Sequence, residues 1–194
     1  TGVLEHFMRI REKRPGGVAT GWIPFTFSDL AGLKVYFPRI LVTGPYHAGK
    51  STVVRALCGN AVNVERMGTT VAFDYGNVQM SGLEAEVFGT PGQERFEFIF
   101  SIFAREVSGV LLVIDSTRRE DFPRARQMLD LLGPKVPVVV LANKSDLPNG
   151  MSEGEIRDGL NLPAGVPILR TVANEGVGVR EGLLRLADRI LGGS

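Results

Sequence analysis

Residues 44–51, with the sequence GPYHAGKS, restrict the folds open to this chain more than any other segment, because they fit the pattern G-x-x-x-x-G-K-S. A short apolar run at 37–43 precedes them, and a helical pattern at 51–57 follows. Glycines let the backbone curl so that successive N–H groups point at phosphate oxygens, and the helix N-terminus adds the positive end of its dipole. With these flanks the segment predicts a phosphate-binding loop; without them it would be an ordinary glycine-rich turn.

The residue types within this loop suit different parts of a bound phosphate chain. Lys50 is expected to reach the β- and γ-phosphates, and the Ser51 hydroxyl is expected to bind Mg²⁺. The other contacts are expected from backbone N–H groups of the curled loop. The predicted phosphate-binding residues of this segment are Gly44, Tyr46, His47, Ala48, Gly49, Lys50, Ser51 and Thr52.

Length and composition narrow the class of protein. The 194 residues, 44% hydrophobic and 22% charged, fit one globular domain. The single cysteine, Cys58, cannot pair within the chain, so we expect a reducing, cytoplasmic setting. Because 22 Lys and Arg balance 21 Asp and Glu, the chain has no basic field for nucleic acid, and no nucleic-acid partner is expected. Its apolar runs are far shorter than the roughly 20 residues that span a bilayer.

Strand and helix patterns alternate from residue 37 onward, which predicts the α/β class. We expect three layers, with a mostly parallel six-stranded sheet, one antiparallel hairpin strand, and helices on both faces. The hairpin is predicted because Ser81 and Gly82 separate two β-type runs. In such sheets ligands bind at the carboxyl ends of the strands. Strands are predicted at 37–43, 71–80, 83–88, 110–115, 136–142 and 168–172, and helices at 51–57, 94–107, 119–132, 152–160 and 179–191.

A second motif follows the predicted strand at 136–142 and concerns the base of a nucleotide. Residues 143–146 have the pattern N-K-x-D. A carboxylate can accept two hydrogen bonds from the N1–H and exocyclic amine of guanine, and adenine has no such pair of donors. Asp146 is therefore the predicted selector for guanine, with Asn143 and Lys144 beside it. A turn rich in Asn and Asp is the alternative, which the phosphate-binding loop earlier in the chain disfavours.

In this order the motifs resemble those of the Ras-like small GTPase superfamily over residues 37–191. The resemblance is closest to prokaryotic MglA-type GTPases and relatives of the signal-recognition-particle receptor β-subunit, on the sequences GTPGQ at 89–93 and TVAFD at 70–74. It implies a three-layer P-loop G domain at 37–194 and an N-terminal extension at 1–36. It also implies a molecular switch that binds GTP and GDP, uses Mg²⁺, and hydrolyses GTP to GDP and phosphate.

The resemblance also implies roles for residues in two switch segments. Thr70 resembles the threonine that binds Mg²⁺ together with Ser51 and senses the γ-phosphate, with neighbouring Thr69 as the alternative. Gly92 resembles the glycine whose N–H contacts the γ-phosphate, and Gln93 the glutamine that orients the attacking water.

Two more roles follow from the same resemblance. Catalysis is expected from Gln93 and Lys50, by positioning and electrostatics without a covalent intermediate. Ala173 resembles the residue whose backbone N–H contacts the guanine oxygen, although the sequence TVAN at 171–174 departs from the usual S-A-K.

Three departures from the family pattern concern the mechanism. Gly89 stands where the aspartate of D-x-x-G is usual, so either Mg²⁺ binds more weakly or another carboxylate such as Asp74 substitutes. Tyr46 stands where glycine is usual and would crowd Gln93, which slows hydrolysis. Arg66 could stabilise in cis the negative charge that develops during hydrolysis, although a solvated loop arginine is the favoured interpretation.

These departures predict slow intrinsic hydrolysis that a partner stimulates. The competing interpretation is an interaction module locked in one nucleotide state, with little turnover.

Surfaces for partners are predicted in two places. Phe98 and Ile102 lie outside the apolar stripe of the helix predicted at 94–107. We therefore expect them to face effectors or a GTPase-activating protein; the alternative is that the whole helix is buried in the core. In the extension at 1–36, Val3, Leu4, Phe7 and Met8 share one helical face beside basic residues. That face is expected either to pack on the domain, which is favoured, or to make peripheral membrane contact.

Overall fold

The computed structural model describes residues 38–59, 62–65, 72–80, 83–90 and 107–192. These residues form seven β-strands and four α-helices, with short 3-10 turns at Arg119–Asp121 and Ala173–Glu175. In chain order the elements are β1 (Arg39–Thr43), α1 (Lys50–Leu57), β2 (Val62–Glu65), β3 (Ala72–Met80), β4 (Leu83–Gly89), β5 (Gly109–Asp115), α2 (Phe122–Leu132), β6 (Val138–Asn143), α3 (Glu153–Gly159), β7 (Ile168–Arg170) and α4 (Val179–Gly192).

The strands form one sheet in the order β2-β3-β4-β1-β5-β6-β7. β1 lies parallel to both β4 and β5, and β5, β6 and β7 continue in parallel. In the described sheet, the β2–β3 and β3–β4 pairs are antiparallel. The predicted α/β class, with a mostly parallel sheet and a hairpin, is therefore confirmed.

Alternating side chains of the central strands build two separate cores. Ile40 and Val42 of β1 pack in the core formed with α1 and α4, whereas Leu41 packs in the core formed with α2 and α3. β5 and β6 alternate in the same way, as expected when helices cover both faces of a parallel sheet. These two cores confirm the predicted three layers.

The described sheet has one strand more than the six that were predicted. The additional strand, β2 (Val62–Glu65), has the sequence VNVE and pairs with β3 at an edge of the sheet. Four residues with two apolar positions are too few to distinguish a strand from a loop by periodicity. α2 also starts later than predicted, because Arg119–Asp121 forms a 3-10 turn before it.

Some predicted features lie outside the described residues. They include the extension at 1–36, residues 94–106 of the helix predicted at 94–107, and the side chains of Phe98 and Ile102. Among the described helices, none has the length and hydropathy needed to cross a membrane.

Candidate nucleotide-binding site

The loop between β1 and α1 has the backbone curvature that the sequence predicts. Gly44 and Gly49 have φ values of 147° and 101°, which favour glycine. A Cβ atom at Gly44 would collide with the carbonyl oxygen of Val113 on β5, and one at Gly49 would collide with the side-chain amide of Asn143. Both glycines are therefore required by close packing as well as by conformation.

The N-terminus of α1 faces this loop and suits an anion. Gly49 is the N-cap residue and supplies no side-chain cap, and the first turn of α1, which is fully described, holds no acidic residue. The first N–H groups of a helix have no partners within the helix and carry partial positive charge. Ser51 is exposed on this turn, so its hydroxyl is open to a ligand.

Lys50 places a cation beneath the loop. It is only 8% exposed, and its Nζ donates to the carbonyl oxygen of Pro45 at 2.6 Å. Burial lowers the pKa of Lys50 to about 8, and the nearby charges of Asp74 and then Asp121 oppose that shift. At neutral pH the side chain is thus mostly protonated, and a buried ammonium of this kind is suited to pairing with phosphate.

Asn143, at the end of β6, connects the phosphate-binding loop to the loop after β7. Its Nδ2 donates to the carbonyl oxygen of Ala48 at 2.9 Å. Its Oδ1 accepts from the Ala173 N–H at 3.0 Å and from the Thr171 hydroxyl at 3.4 Å. With 4% of its surface exposed, Asn143 acts here as a buried link between loops. Because the Ala173 N–H already donates to Asn143, the predicted contact with guanine requires this N–H either to donate to both acceptors or to turn from Asn143 to guanine.

Lys144 is held by an ion pair at the ends of β5 and β6. Its Nζ lies 2.6 Å from Oδ2 of Asp115, a side chain that is 4% exposed. Oδ1 of Asp115 accepts from the backbone N–H of Thr117 at 3.0 Å and from its hydroxyl at 2.7 Å. Burial raises the pKa of Asp115, but the hydrogen bonds from Lys144 and Thr117 outweigh it and hold the pKa below its usual value. The carboxylate therefore stays ionised and fixes the lysine.

The rest of this segment leaves Asp146 at the surface. The Ser145 N–H and hydroxyl donate to the carbonyl oxygen of Thr171 at 3.2 and 3.0 Å, and Arg170 Nη2 donates to the Ser145 carbonyl oxygen at 2.8 Å. These bonds fix the backbone on both sides of Ser145. Asp146 is exposed beside it, so its carboxylate is accessible to a ligand.

The structure thus brings the predicted phosphate-binding loop, residues 143–146 and Ala173 together at the carboxyl ends of β1, β5 and β6. Asp115 and Thr171 were missed by the sequence analysis. Asp115 could have been found from the sequence, because it is an acidic residue that ends a buried apolar strand at that edge, whereas the Thr171 contact depends on the tertiary fold. The predicted residues Arg66, Thr69, Thr70, Gly92 and Gln93 lie outside the described residues.

This fold and this pair of motifs define a Ras-like small GTPase. The model of the ADP-ribosylation factor family (Arf) matches residues 27–190, and the chain belongs to that family.

Individual relatives agree with that membership. The chain is 33% identical over 164 residues to Ras-related protein RABA6a of Arabidopsis thaliana, covering 80% of this chain and 70% of that protein. It is also 33% identical over 147 residues to ADP-ribosylation factor-like protein 10 of Mus musculus, covering 74% and 60%. The closer resemblance to MglA-type GTPases is not confirmed by these matches.

Among solved structures, the fold is similar to that of the Arl6 BBS3 small GTPase from Trypanosoma brucei with bound nucleotide analogue GppNp. The TM-score is 0.67 at 18% identity, over 82% of this chain and 100% of that one. At this identity the likeness supports the fold.

Proposed function

We propose that this protein is a GTP-binding switch that hydrolyses GTP to GDP and phosphate with Mg²⁺. The observation that carries the proposal is the buried side chain of Asn143. It joins the phosphate-binding loop at Ala48 to the segment that ends in Asp146. A ligand with phosphates at one end and guanine at the other would engage both parts of this connected site.

At the phosphate end, the loop backbone and α1 would hold the phosphate chain, and Lys50 would neutralise its β- and γ-oxygens. The exposed hydroxyl of Ser51, on the first turn beside Lys50, is a suitable oxygen ligand for Mg²⁺, and Thr70 is the proposed second one. When bound, Mg²⁺ would offset the negative charge of the phosphates. The Ser51 hydroxyl therefore fits this metal ion, and the role of Thr70 is part of the proposal.

At the base end, Asp146 would accept hydrogen bonds from the N1–H and amine of guanine. Lys144, fixed by Asp115, would support that position. ATP would be rejected because adenine lacks this pair of donors and would leave the carboxylate without a partner.

The decisive experiment is a single-turnover assay of the purified chain with GTP and Mg²⁺, with excess ATP as the competitor. We expect tight GTP retention and slow formation of GDP, both unaffected by ATP. Retention that ATP abolishes would contradict guanine specificity. Retention without any GDP would instead support the second candidate function, an interaction module locked in one nucleotide state.

Tyr46 supports the proposed slow turnover. Tyr46 is 54% exposed at the phosphate-binding loop, and its ring lies against the His47 ring, with centroids 3.8 Å apart. We expect Tyr46→Gly to raise the intrinsic rate of GTP hydrolysis by about tenfold, since small displacements of reacting groups have effects of this size or larger. The measurement is single-turnover GDP formation. Tyr46→Phe, which keeps the ring, should match the wild type, and an unchanged rate in Tyr46→Gly would show that the ring does not limit turnover.

Partners are proposed at the switch segments, including effectors and a GTPase-activating protein near Phe98 and Ile102. We expect the double variant Phe98→Ser and Ile102→Ser to retain GTP while losing capture of partner proteins by the GTP-loaded chain. Leu184→Ser is a matched control, because Leu184 is an exposed apolar residue on α4. If the double variant instead loses its circular dichroism signal, these side chains belong to the core.

A further inference from the structure

Asp146 lies on a short turn that other parts of the site hold in place. The Leu147 N–H donates to the Lys144 carbonyl oxygen at 3.1 Å, which closes residues 144–147 into a turn. Asp146 is the third residue of this turn. The direction of its carboxylate therefore depends on how the backbone of the two preceding residues, Lys144 and Ser145, is held.

Lys144 has a backbone conformation that a lysine rarely adopts. Its φ is 59°, in the left-handed region, where the Cβ atom crowds the following carbonyl oxygen. Such a conformation persists only where the surrounding contacts determine it. Ser145 is fixed by its hydrogen bonds to Thr171, and the side chain of Lys144 is fixed by its ion pair with Asp115 at 2.6 Å.

Asp115 reaches Lys144 from the neighbouring strand. It ends β5 and is the register partner of Asn143, which ends β6. Neighbouring strands lie about 4.8 Å apart, so the lysine side chain is drawn sideways across the edge of the sheet toward β5. The other carboxylate oxygen of Asp115 accepts two hydrogen bonds from Thr117. The carboxylate is therefore a fixed anchor for the lysine.

Burial distinguishes this ion pair from one on the surface. The carboxylate of Asp115 lies almost wholly out of contact with water, whereas Lys144 is about one-third exposed. A buried ion pair adds little net stability compared with apolar side chains, because both charges lose hydration. Separating the pair would leave the Asp115 charge buried without a partner. The pair thus fixes the geometry of Lys144 more than it stabilises the fold.

We infer that Asp115 is a positioning residue for guanine selection: it anchors the side chain of Lys144 and so sets the start of the turn that directs the Asp146 carboxylate to the base. Because its ammonium is engaged with Asp115, Lys144 acts through its backbone and not through a charge offered to the ligand. The inference rests on the proposed function, and it adds a specificity-determining residue that lies outside both motifs.

The test compares GDP with inosine diphosphate (IDP), which lacks the exocyclic amine of guanine and so offers Asp146 one hydrogen bond instead of two. Competition of each nucleotide for a bound fluorescent GDP derivative, with Mg²⁺ present, gives the GDP preference of the purified full chain. We expect the wild type to prefer GDP by about 10- to 100-fold, since the lost hydrogen bond is to a charged group. Asp115→Asn should lower this preference by about tenfold, because hydrogen bonds weaken steeply when their angle changes.

Thr117→Val is the matched control. It removes a hydrogen bond to the same carboxylate but leaves the ion pair with Lys144, so it should keep the wild-type preference. Urea unfolding of each variant separates the two possible roles. A merely structural Asp115 would lower the free energy of unfolding in Asp115→Asn and leave the GDP preference unchanged, which would overturn the inference.

A second variant tests the route through Lys144. Lys144→Met keeps an unbranched side chain and removes the ammonium that Asp115 holds. The GDP preference should fall as in Asp115→Asn, and the double variant should fall no further, since both changes break one link. Effects that multiply in the double variant would overturn the inference.

The double variant also decides the case in which Asp115→Asn does not fold, because it buries no unpaired charge. A wild-type GDP preference in the double variant would overturn the inference while leaving the proposed function intact. A wild-type chain that binds GDP no better than IDP would contradict the proposed guanine site itself.

Discussion

Replacing Asp146 with Asn is expected to weaken GTP binding by about 10²- to 10⁴-fold and to create binding of XTP. The carboxylate would accept two hydrogen bonds from guanine, and hydrogen bonds to charged groups contribute about 1.5–3 kcal/mol each. An amide presents one acceptor and one donor, which match the N1–H and 2-carbonyl of xanthine. Competition of GTP and XTP for a bound fluorescent GDP derivative measures both changes.

Asp158→Asn is the control for this prediction, because Asp158 is an exposed carboxylate on α3. It should leave both affinities at the wild-type values. Unchanged GTP affinity in Asp146→Asn would remove Asp146 as the guanine selector and with it the proposed choice of nucleotide.

Replacing Asn143 with Ala should damage both the fold and the site. The change leaves the Ala48 carbonyl and the Ala173 N–H without their partner, and each orphaned buried group costs about 1–3 kcal/mol. We expect the free energy of unfolding in urea to fall by about 2–4 kcal/mol. Release of GDP should accelerate by about tenfold or more, because the two loops are no longer joined and bind the ligand less tightly.

Thr171→Val separates this effect from a general loss of polar contacts. It removes only the longer 3.4 Å hydrogen bond to Asn143 and preserves the side-chain shape. We expect a loss of less than about 1 kcal/mol, with GDP release close to the wild-type rate. If Asn143→Ala has the wild-type free energy of unfolding and the wild-type rate of GDP release, the link between the loops contributes little.

The sequence predicts the parts of this protein whose signal is local. The buried strands β5 and β6 are continuous apolar runs, and both motifs lie directly after predicted strands. β2 has no such signal, because it is short, half polar and supported by one partner in the described sheet. The bond from Asn143 to Ala48 joins residues 95 positions apart, so only the folded sheet brings them together.

The relation between Asp74 and Gly89 is an intermediate case. From the sequence, Asp74 is a candidate substitute carboxylate whose position is unknown. However, Met80 of β3 pairs with Leu83 of β4, and six residues further along each strand from that pair Asp74 lies opposite Gly89. The position of Asp74 therefore follows from the register of this antiparallel pair.

Because Asn143 is hydrogen-bonded to both loops, the two ends of a nucleotide should bind cooperatively. A group that orders the backbone at Ala48 lowers the entropic cost of ordering the backbone at Ala173, and the reverse holds equally, since coupling between sites is reciprocal. Guanosine and pyrophosphate, added as separate fragments, should each increase the affinity for the other. By the same reciprocity, a partner that loosens one loop also weakens ligand binding at the other loop. A contact at either end can therefore release the whole ligand.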